Sequence, residues 1–414
     1  MNIILGIIVG LLVLTFLVVS HEFGHFLMAR KNGVRVLEFG VGFPPRAIAW
    51  QKGKDGKWHR LPKKSWPKPT QKPDSLILSI NWLPIGGFCQ MDGETCSDTE
   101  PGTFGAATFR QKSRILFGGV VTNWIIAFLI FTVLAWVGMP NFIENQFSIK
   151  SDETLSSGPI TITEVVPNSP ADRAGLRQND IILSINDHPV YTSSDVTAIG
   201  SQNAGQITNY QIKRAALCLK TSVPPNCGDD IINLPVELNA ADNEWGYILG
   251  VTMTSDLFAT SHYTWAAPIV GIGTTVQLTG ETFKGLGQML WNLISGTVRQ
   301  FNPDSTVREQ GKDAISSASN SVTGPIGIIS IFANTIHNFP LTLFLAGIIS
   351  VSLACMNVLP IPALDGGRWL LIFIYKLKKK PLTKEIEESI VSKAFLVLLA
   401  LMAIITIIDI IRIF

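Results

Sequence analysis

Charge is scarce in this sequence, and two long stretches have none. Charged residues make up 15% of the 414 residues, whereas soluble domains carry about 25%. None precedes Glu22, and Asp, Glu, Lys and Arg are absent from Ala314 to Leu364. A chain this apolar is not an ordinary soluble protein. Its net charge of +2 gives no argument for a nucleic acid partner, and we expect none.

Four apolar runs are long enough to cross a bilayer, which takes about 20 residues. They lie near 3–27, 115–139, 340–360 and 392–408. The second has no charged residue, and Asp409 interrupts the fourth. These runs predict a polytopic α-helical membrane protein with about four transmembrane helices.

The first run lacks the features of a cleaved targeting peptide. Such peptides begin with basic residues and end at a cleavage site of small residues. Here no Lys or Arg precedes Arg30, and the apolar run continues through Met28. We therefore expect this segment to be retained as a membrane span.

Basic residues are concentrated in two connecting segments. Between 30 and 114 there are fifteen Lys and Arg against seven Asp and Glu, and five lysines lie between 376 and 384. Cytoplasmic loops carry such an excess, so both segments are predicted to face the cytoplasm and both termini to face outward. Ordinary solvated loops would not explain why the basic segments alternate with the spans. The Lys-, Pro- and Gly-rich stretch 50–74 is predicted to be an extended loop, either contacting anionic lipid or serving as a plain linker.

Residues 160–190 have the pattern of a small α+β domain. The pattern predicts a strand over 160–166, a short helix over 171–175 and a second strand over 181–185, closed by an Asn-Asp turn. With its SPADRAGL and NDIILSIND segments the stretch resembles a bacterial, protease-associated PDZ domain, although that family usually has Gly in place of Asn179. PDZ domains bind extended peptide termini by strand addition. The alternative is a β-rich domain without a binding groove.

Cysteine is also scarce, and two of the five cysteines lie in this insert. Cys218 and Cys227 flank a Pro-Pro turn, and they either close a hairpin disulfide in an oxidising compartment or remain free thiols. The other three, Cys89, Cys96 and Cys355, lack C-x-x-C spacing and are predicted to be structural.

Two of the six histidines fall at the end of the first apolar run, in the sequence HEFGH. On a helix, H-E-x-x-H directs both imidazoles toward one metal ion and places the glutamate beside the open coordination position, as a general base requires. The motif alone also occurs on soluble helices, but polar groups in a membrane span are costly and are by default functional. We predict a zinc site with His21 and His25 as ligands and Glu22 as the base.

Catalytic zinc sites have a third protein ligand and a water. Asp365 ends the second stretch without charge, much as Glu22 ends the first. The helix is predicted to break around Asp365, at Pro360, Pro362, Gly366 and Gly367. Irregular backbone of this kind is typical of segments that line a cavity in a membrane protein. We predict Asp365 to be the third ligand. The alternative is that it caps a helix N-terminus at the membrane surface.

These motifs together resemble the bacterial site-2 protease family of intramembrane metalloproteases. The resemblance lies in HEFGH, in NVLPIPALDGG and in the PDZ-like insert between them. It extends to EFGVGFPPR (38–46), LPIGGF (83–88), FGGVVTN (117–123) and TGPIGI (323–328). The similarity covers most of the chain.

The resemblance implies roles for particular residues. It makes the two histidines and Asp365 the zinc ligands and Glu22 the catalytic base. Asn357, in the pattern Asn-x-x-Pro-x-x-x-Leu-Asp-Gly, would hold the substrate backbone or the developing oxyanion. Segment 38–49 would be a re-entrant hairpin whose edge pairs with the unwound substrate, as segment 76–90 also could by strand addition. Departures from the family are a single PDZ domain, Phe43-Pro44-Pro45 in the hairpin and the long 50–74 loop.

The predicted architecture combines the membrane helices with cytoplasmic β-hairpin elements and an inserted extracytoplasmic PDZ (α+β) domain. The expected domains are the first two spans with their cytoplasmic loop (1–139), the PDZ domain (140–258), an amphipathic interfacial helix with a linker (259–322) and the C-terminal spans (323–414). The interfacial helix is expected at 265–300. The alternative there is a fifth short span.

The predicted function is that of an intramembrane zinc endopeptidase in the bacterial inner membrane. Its substrates would be single-span membrane proteins, cleaved in regulated proteolysis of anti-sigma-factor-like proteins or as remnant signal peptides, with peptide termini bound at the PDZ domain. One rival is a non-catalytic membrane scaffold, which has no need of an intact Glu22. A weaker rival is a metal transporter, which needs polar residues along several spans.

Overall fold

The computed structural model describes residues 2–53, 55–66, 72–143, 145–156, 160–214, 230–240, 246–254, 260–320, 324–335 and 338–413. The chain forms two compact units. One consists of residues 1–134 and 267–414, and the other of residues 135–266.

The first unit is mainly helical. Its helices are α1 (Asn2–Lys31), α2 (Phe109–Val137), α5 (Ala267–Gln300), α6 (Ser305–Asn320), α7 (Pro325–Thr335), α8 (Phe339–Val358), α9 (Asp365–Leu377) and α10 (Lys384–Ile413). The second unit contributes the short helices α3 (Pro170–Ala174) and α4 (Ser193–Gln202).

Within the described residues, four helices are long and apolar enough to cross a membrane, in agreement with the four apolar runs of the sequence. They cover Ile4–Lys31, Phe109–Val137, Phe339–Val358 and Lys384–Ile407. A helix is also present where the amphipathic helix was expected, since α5 covers Ala267–Gln300. Helix α5 is not one of the four helices that meet the criteria for a membrane span.

The fourth span begins earlier than predicted, at Lys384, and its helix extends beyond the predicted end of the span. Helix α10 begins before residue 392 and continues past Asp409, so this carboxylate does not interrupt it. The reason is that Asp409 is buried and accepts a hydrogen bond from the backbone N–H of Gly327, at 3.0 Å, in the first turn of α7. A helix N-terminus stabilises a carboxylate, so the charge is accommodated between two helices.

The ends of α1 and α2 follow from local sequence. Helix α1 has Arg30 and Lys31 in its last turn, where cations are favoured by the helix dipole. It is followed by Gly33 with a φ of 79°, a left-handed conformation common after helices. Helix α2 begins with a reciprocal pair, in which Thr108 and Gln111 bond each other's backbone N–H groups.

A three-stranded sheet lies in the segment between α1 and α2. Its order is β2 (Trp58–Arg60), β1 (Val36–Lys52) and β3 (Ile77–Met91). The two long strands fold back on themselves, because Phe39 is opposite both Cys89 and Leu78 while Trp50 is also opposite Leu78. Segments 38–49 and 76–90, predicted to supply β-hairpin edges, are therefore interlocked in one sheet.

The sheet and the helices of this unit share an apolar core. Buried side chains from α1, β1, β3, α2 and α9 meet there, among them Ala29, Val36, Met91, Ile115 and Ile372. This core fixes the end of α1 against the start of α9, which are the two elements that carry the predicted metal ligands.

The second unit contains a sheet in the order β10 (Asp230–Glu237), β9 (Ile207–Arg214), β7 (Ile181–Ile185), β6 (Ile160–Val165) and β11 (Val251–Thr254), with β8 (His188–Pro189) paired to β7. A separate small sheet joins β4 (Met139–Pro140), β12 (Thr260–His262) and β5 (Thr154–Ser156). The strands and the short helix predicted over 160–185 are present within one residue of the expected bounds.

Local interactions explain the fold of this insert. Asn179 has a φ of 70°, in keeping with its predicted position in a tight turn. Asp180 is buried and pairs with Arg214 at 2.6 Å, and this carboxylate raises the pKa of the guanidinium. The apolar core includes Ile162, Ile182 and a fully buried Tyr210. Cys218 and Cys227 lie outside the described residues, so the two alternatives for them, a disulfide or free thiols, both stand.

Candidate metal centre and active site

Helix α1 places both histidines of the HEFGH motif on its buried face. His21 and His25 are 7% and 6% exposed. Their rings lie edge to face with centroids 4.7 Å apart, as expected for residues one helical turn apart. Glu22 follows His21 on the same turn and is only partly buried.

Asp365 reaches the histidines because the chain breaks its helix just before it. Helix α8 ends at Val358, α9 begins at Asp365, and the intervening residues include the two prolines. The break is tight: a Cβ on Gly366 would lie 2.1 Å from the Val358 carbonyl oxygen, and one on Gly367 would lie 2.0 Å from that of Ile361. Only glycine fits at these positions.

The alternative of Asp365 as a helix cap is wrong. The N-cap of α9 is Leu364, which makes no side-chain capping bond, and Asp365 lies inside the first turn. Its carboxylate is directed at the two imidazoles instead.

Three ligand atoms converge at this point. His21 Nε2 lies 3.1 Å from both Asp365 Oδ2 and His25 Nε2, and His25 Nε2 lies 3.2 Å from Asp365 Oδ2. A tetrahedral zinc ion with bonds of about 2.0–2.1 Å holds its ligand atoms about 3.3 Å apart. The three side chains are thus spaced for one small cation. Among the described residues they form the cluster of His, Cys, Asp or Glu side chains that could hold a metal ion.

The surroundings of the histidines fix their orientation. His25 Nδ1 lies 2.8 Å from the carbonyl oxygen of Ile115, an acceptor, so this nitrogen carries the proton and Nε2 is free to ligate. Gly119 of α2 lies against both rings, since a Cβ there would be 2.6–2.7 Å from the Nε2 atoms of His21 and His25.

Glu22 lies beside the sheet. Its carboxylate is close to the backbone of Cys89 in β3, to the two histidines and to Asp365. A carboxylate so placed beside a metal site is positioned to accept a proton from water.

Helix α9 is anchored so that Asp365 stays in place. Arg368 pairs with the buried Glu387 of α10 at 3.2 Å, and Glu387 also accepts a hydrogen bond from the backbone N–H of Cys96. Trp369 donates to the hydroxyl of Ser113 on α2 at 2.9 Å. These bonds tie the helix that carries the carboxylate to both neighbouring segments.

The three cysteines predicted to be structural do not join the cluster. Cys89 and Cys355 are buried and Cys96 is partly buried, all as free thiols. Burial, together with the nearby Glu387, raises the pKa of Cys96 to about 11. This thiol is therefore neutral near pH 7 and is a poor metal ligand.

Asn357, the predicted substrate-binding residue, lies in the last turn of α8 and is partly exposed. The structure places it on the element that leads into the Asp365 turn, but its role stays a prediction. Sequence reasoning missed Asn123, which is 0% exposed and lies beside His21. A lone amide in an uncharged apolar span was the available signal, since such a group is costly in a membrane.

Comparison with known proteins gives relatives that match almost end to end. A Clostridium perfringens protein named "Putative zinc metalloprotease CPE1693" is 26% identical over 413 residues, covering 98% of each chain. "Regulator of sigma-W protease RasP" of Bacillus subtilis is 25% identical over 472 residues, covering 99% of each. "Probable protease eep" of Enterococcus faecalis is 25% identical over 479 residues, again covering 99% of each.

The family comparison covers nearly the whole chain as well. Residues 9–60 and 74–402 match the model of peptidase family M50. The two matched segments contain the HEFGH motif, both long strands of the sheet and the Asp365 turn. The resemblance to the site-2 proteases drawn from these motifs is thereby confirmed, and the chain belongs to peptidase family M50.

Proposed function

We propose that this protein is an intramembrane zinc endopeptidase in which His21, His25 and Asp365 hold the metal and Glu22 is the catalytic base. One observation carries the proposal: the three ligand atoms lie 3.1–3.2 Å from one another, where Asp365 meets the buried face of a helix long and apolar enough to span a membrane. The family is one of peptidases, and the name of the Clostridium relative includes zinc.

The residues around the site divide the chemistry among them. A zinc ion bound there supplies Lewis acidity that polarises the scissile carbonyl and acidifies water. Glu22, next to the Cys89 backbone, accepts a proton from the attacking water and passes it to the leaving amine. Asn357 holds the substrate backbone or the developing oxyanion beside the Asp365 turn.

The β1–β3 sheet is the proposed docking edge for the substrate. A transmembrane helix has all its peptide groups bonded internally, so it must unwind before cleavage and its freed groups need new partners. The hydroxyl of Thr15 donates to the Pro84 carbonyl at 2.6 Å, and Gly86 and Gly87 lie close to Val18 and Val19. Because these α1 residues belong to the first span, the sheet lies at span depth and can pair with the unwound segment.

The insert is proposed to be a PDZ domain that binds peptide termini, over 140–258. In the described sheet β11 is a four-residue edge strand, preceded by Gly250 with a φ of 80°, and such an edge accepts a peptide as an added strand. Segment 259–322, with α5 and α6, is assigned to the membrane interface, and 1–139 and 323–414 hold the spans. The excess of basic residues in 30–114 supports a cytoplasmic side for the segment that carries the sheet, and therefore an outer side for the insert.

The proposed location is the bacterial cytoplasmic membrane, and the proposed substrates are single-span membrane proteins. The name of the Bacillus relative, a regulator of sigma-W protease, favours anti-sigma-factor-like substrates. Remnant signal peptides fit the same site, since they too are single apolar helices.

The test is to measure zinc and cleavage together on purified protein. Wild type should bind one zinc per chain and cleave a model transmembrane substrate. Glu22→Gln should keep the zinc and lose cleavage by at least about 100-fold, because general-base catalysis contributes factors of that size and an amide cannot accept the proton.

A His21→Ala/His25→Ala variant provides the second arm and should contain no zinc. The proposal is wrong if wild type binds no zinc or if the double variant retains a full equivalent. Cleavage by Glu22→Gln at the wild-type rate would show that Glu22 is not the catalytic base, and it would leave the proposal for the metal site unaffected.

A further inference from the structure

Asn123 is a polar side chain that the proposed mechanism leaves unused. It lies in α2, inside the second span, and is 0% exposed. Its Nδ2 is 3.4 Å from Nδ1 of His21, and its Oδ1 is buried without a hydrogen-bond partner in the described part of the chain. An unpaired amide oxygen in a membrane span is costly, so this residue requires an explanation.

The proton on His21 must lie on Nδ1. Nε2 of His21 faces Asp365 Oδ2 and His25 Nε2, and a nitrogen that ligates a metal carries no hydrogen. Neutral imidazole then has its N–H at Nδ1, which is a donor. In the orientation just described, two hydrogen-bond donors face each other, because the Nδ2 group of Asn123 can donate hydrogen bonds but cannot accept one.

Exchanging the two ends of the amide removes the contact between two donors and gives Oδ1 a partner, while Nδ2 moves to the position where Oδ1 met no donor. The oxygen and nitrogen of an asparagine side chain have nearly the same shape, so the exchange changes no packing. Oδ1 then lies about 3.4 Å from His21 Nδ1 and receives its hydrogen. The orphaned oxygen gains a partner, and the proton on His21 gains an acceptor.

His25 shows the same arrangement with a backbone acceptor. Its Nδ1 lies 2.8 Å from the carbonyl oxygen of Ile115, which is also in α2. Asn123 is held in register by the hydroxyl of Ser350 on α8, which donates to its backbone oxygen at 2.8 Å. Both histidines thus meet an oxygen of α2 on the side away from the converging Nε2 atoms.

We propose that Asn123 is a positioning residue that accepts the Nδ1 hydrogen of His21 through Oδ1 and thereby fixes Nε2 as the ligating atom. This inference rests on the proposed metal site. Partners of this kind orient ligating histidines and raise their basicity, and losing one typically weakens metal binding 10- to 100-fold.

The experiment compares Asn123→Asp with Asn123→Leu. Asp keeps an acceptor and has no amide hydrogens to donate, whereas Leu has a similar size and no polar atom. Zinc dissociation constants are measured by competition with a chelator on protein in detergent, and thermal unfolding of the metal-free proteins is followed in parallel. We expect Leu to weaken zinc binding about 10- to 100-fold and Asp to bind zinc at least as tightly as wild type.

Two results would overturn the inference. One is wild-type zinc affinity in Asn123→Leu, which means that no acceptor is needed. The other is that Asn123→Asp binds zinc as weakly as the Leu variant, which means that the amide acts as a donor. If the Leu variant cannot be purified, the Asp variant alone decides between acceptor and donor.

A His21→Ala control separates this inference from the proposed function. If that variant loses zinc while Asn123→Leu keeps it, only the role of Asn123 is wrong. If His21→Ala itself keeps full zinc affinity, the proposed metal site is wrong.

Discussion

Two carboxylates in this protein, the partly buried Asp365 and the buried Asp409, meet different partners, and the difference determines what each can do. Asp365 faces two imidazoles, whereas Asp409 faces a backbone N–H at the start of α7. A carboxylate removed from water needs a partner of either kind. Two imidazoles that share one carboxylate oxygen are arranged as metal ligands would be, while a helix N-terminus needs only an acceptor.

Replacing each carboxylate by its amide therefore separates the two roles. Asp365→Asn should weaken zinc binding strongly and abolish cleavage, because a neutral amide is a poor zinc ligand. Asp409→Asn should keep zinc and most activity, because asparagine accepts a backbone hydrogen bond about as well as aspartate. Zinc content and cleavage are measured on both. Equal zinc content in the Asp365 variant and wild type would exclude Asp365 as a ligand.

The spacing between α1 and α2 is set by glycine. Gly24 and Gly118 face each other, and a Cβ on Gly24 would lie 2.3 Å from the Gly118 carbonyl oxygen. One residue further along α2, Gly119 leaves room for the imidazoles. Small residues allow helix backbones to approach closely in membranes, and here the approach brings the Ile115 carbonyl to His25 and the Asn123 side chain to His21.

Adding one methyl group at Gly119 should disturb the metal site directly. In Gly119→Ala the new Cβ would be 2.6 Å from His21 Cε1 and His25 Nε2, so at least one ring must move. We expect zinc affinity and cleavage to fall at least about 10-fold, the lower end for a disturbed ligand shell. Gly285→Ala in α5 is the matched control, because its Cβ meets nothing within 4 Å. A Gly119→Ala enzyme that cleaves like the control would show that the rings are not confined there.

Sequence alone predicts the elements whose signals are local. Apolar runs predict the long apolar helices, and the i, i+4 spacing of His21 and His25 predicts that the two imidazoles lie side by side. The interlocked register of β1 and β3 could not be predicted, because both strands fold back at glycines and pair twice. The continuation of α10 past Asp409 also depends on a distant partner, the start of α7.

At the scale of the whole molecule, the site joins residues 344 positions apart, His21 and Asp365. Chemistry made this pairing predictable, because two histidines required a third ligand and the second uncharged stretch ended in a carboxylate. No comparable requirement pointed to Asn123, because its side chain is near only one ring nitrogen of His21 and is not needed to complete the ligand set. The contact between His21 and Asp365 could thus be predicted from the need for a third ligand. The contact between His21 and Asn123 could not.

The division into two units leads to a prediction about substrate choice. The unit formed by 135–266 has its own sheets and core, and it contains none of the proposed metal ligands or the base. Its proposed role is to exclude proteins that still carry bulky outer domains, so that only substrates trimmed by another protease reach the spans. This role requires no chemistry from the insert.

Deleting 160–254, which carries the complete β6–β11 sheet, should then relax selection without removing activity. We expect cleavage of an untrimmed substrate to rise toward the rate for a trimmed one, while trimmed-substrate cleavage and zinc content stay near wild type. Rates are measured in detergent and in vesicles on both substrates, with Glu22→Gln in the deleted protein as the control for contaminating proteases. Unchanged discrimination in a deletion protein that still binds zinc would refute the filter, because the ratio of the two rates depends on the insert only if it excludes bulk.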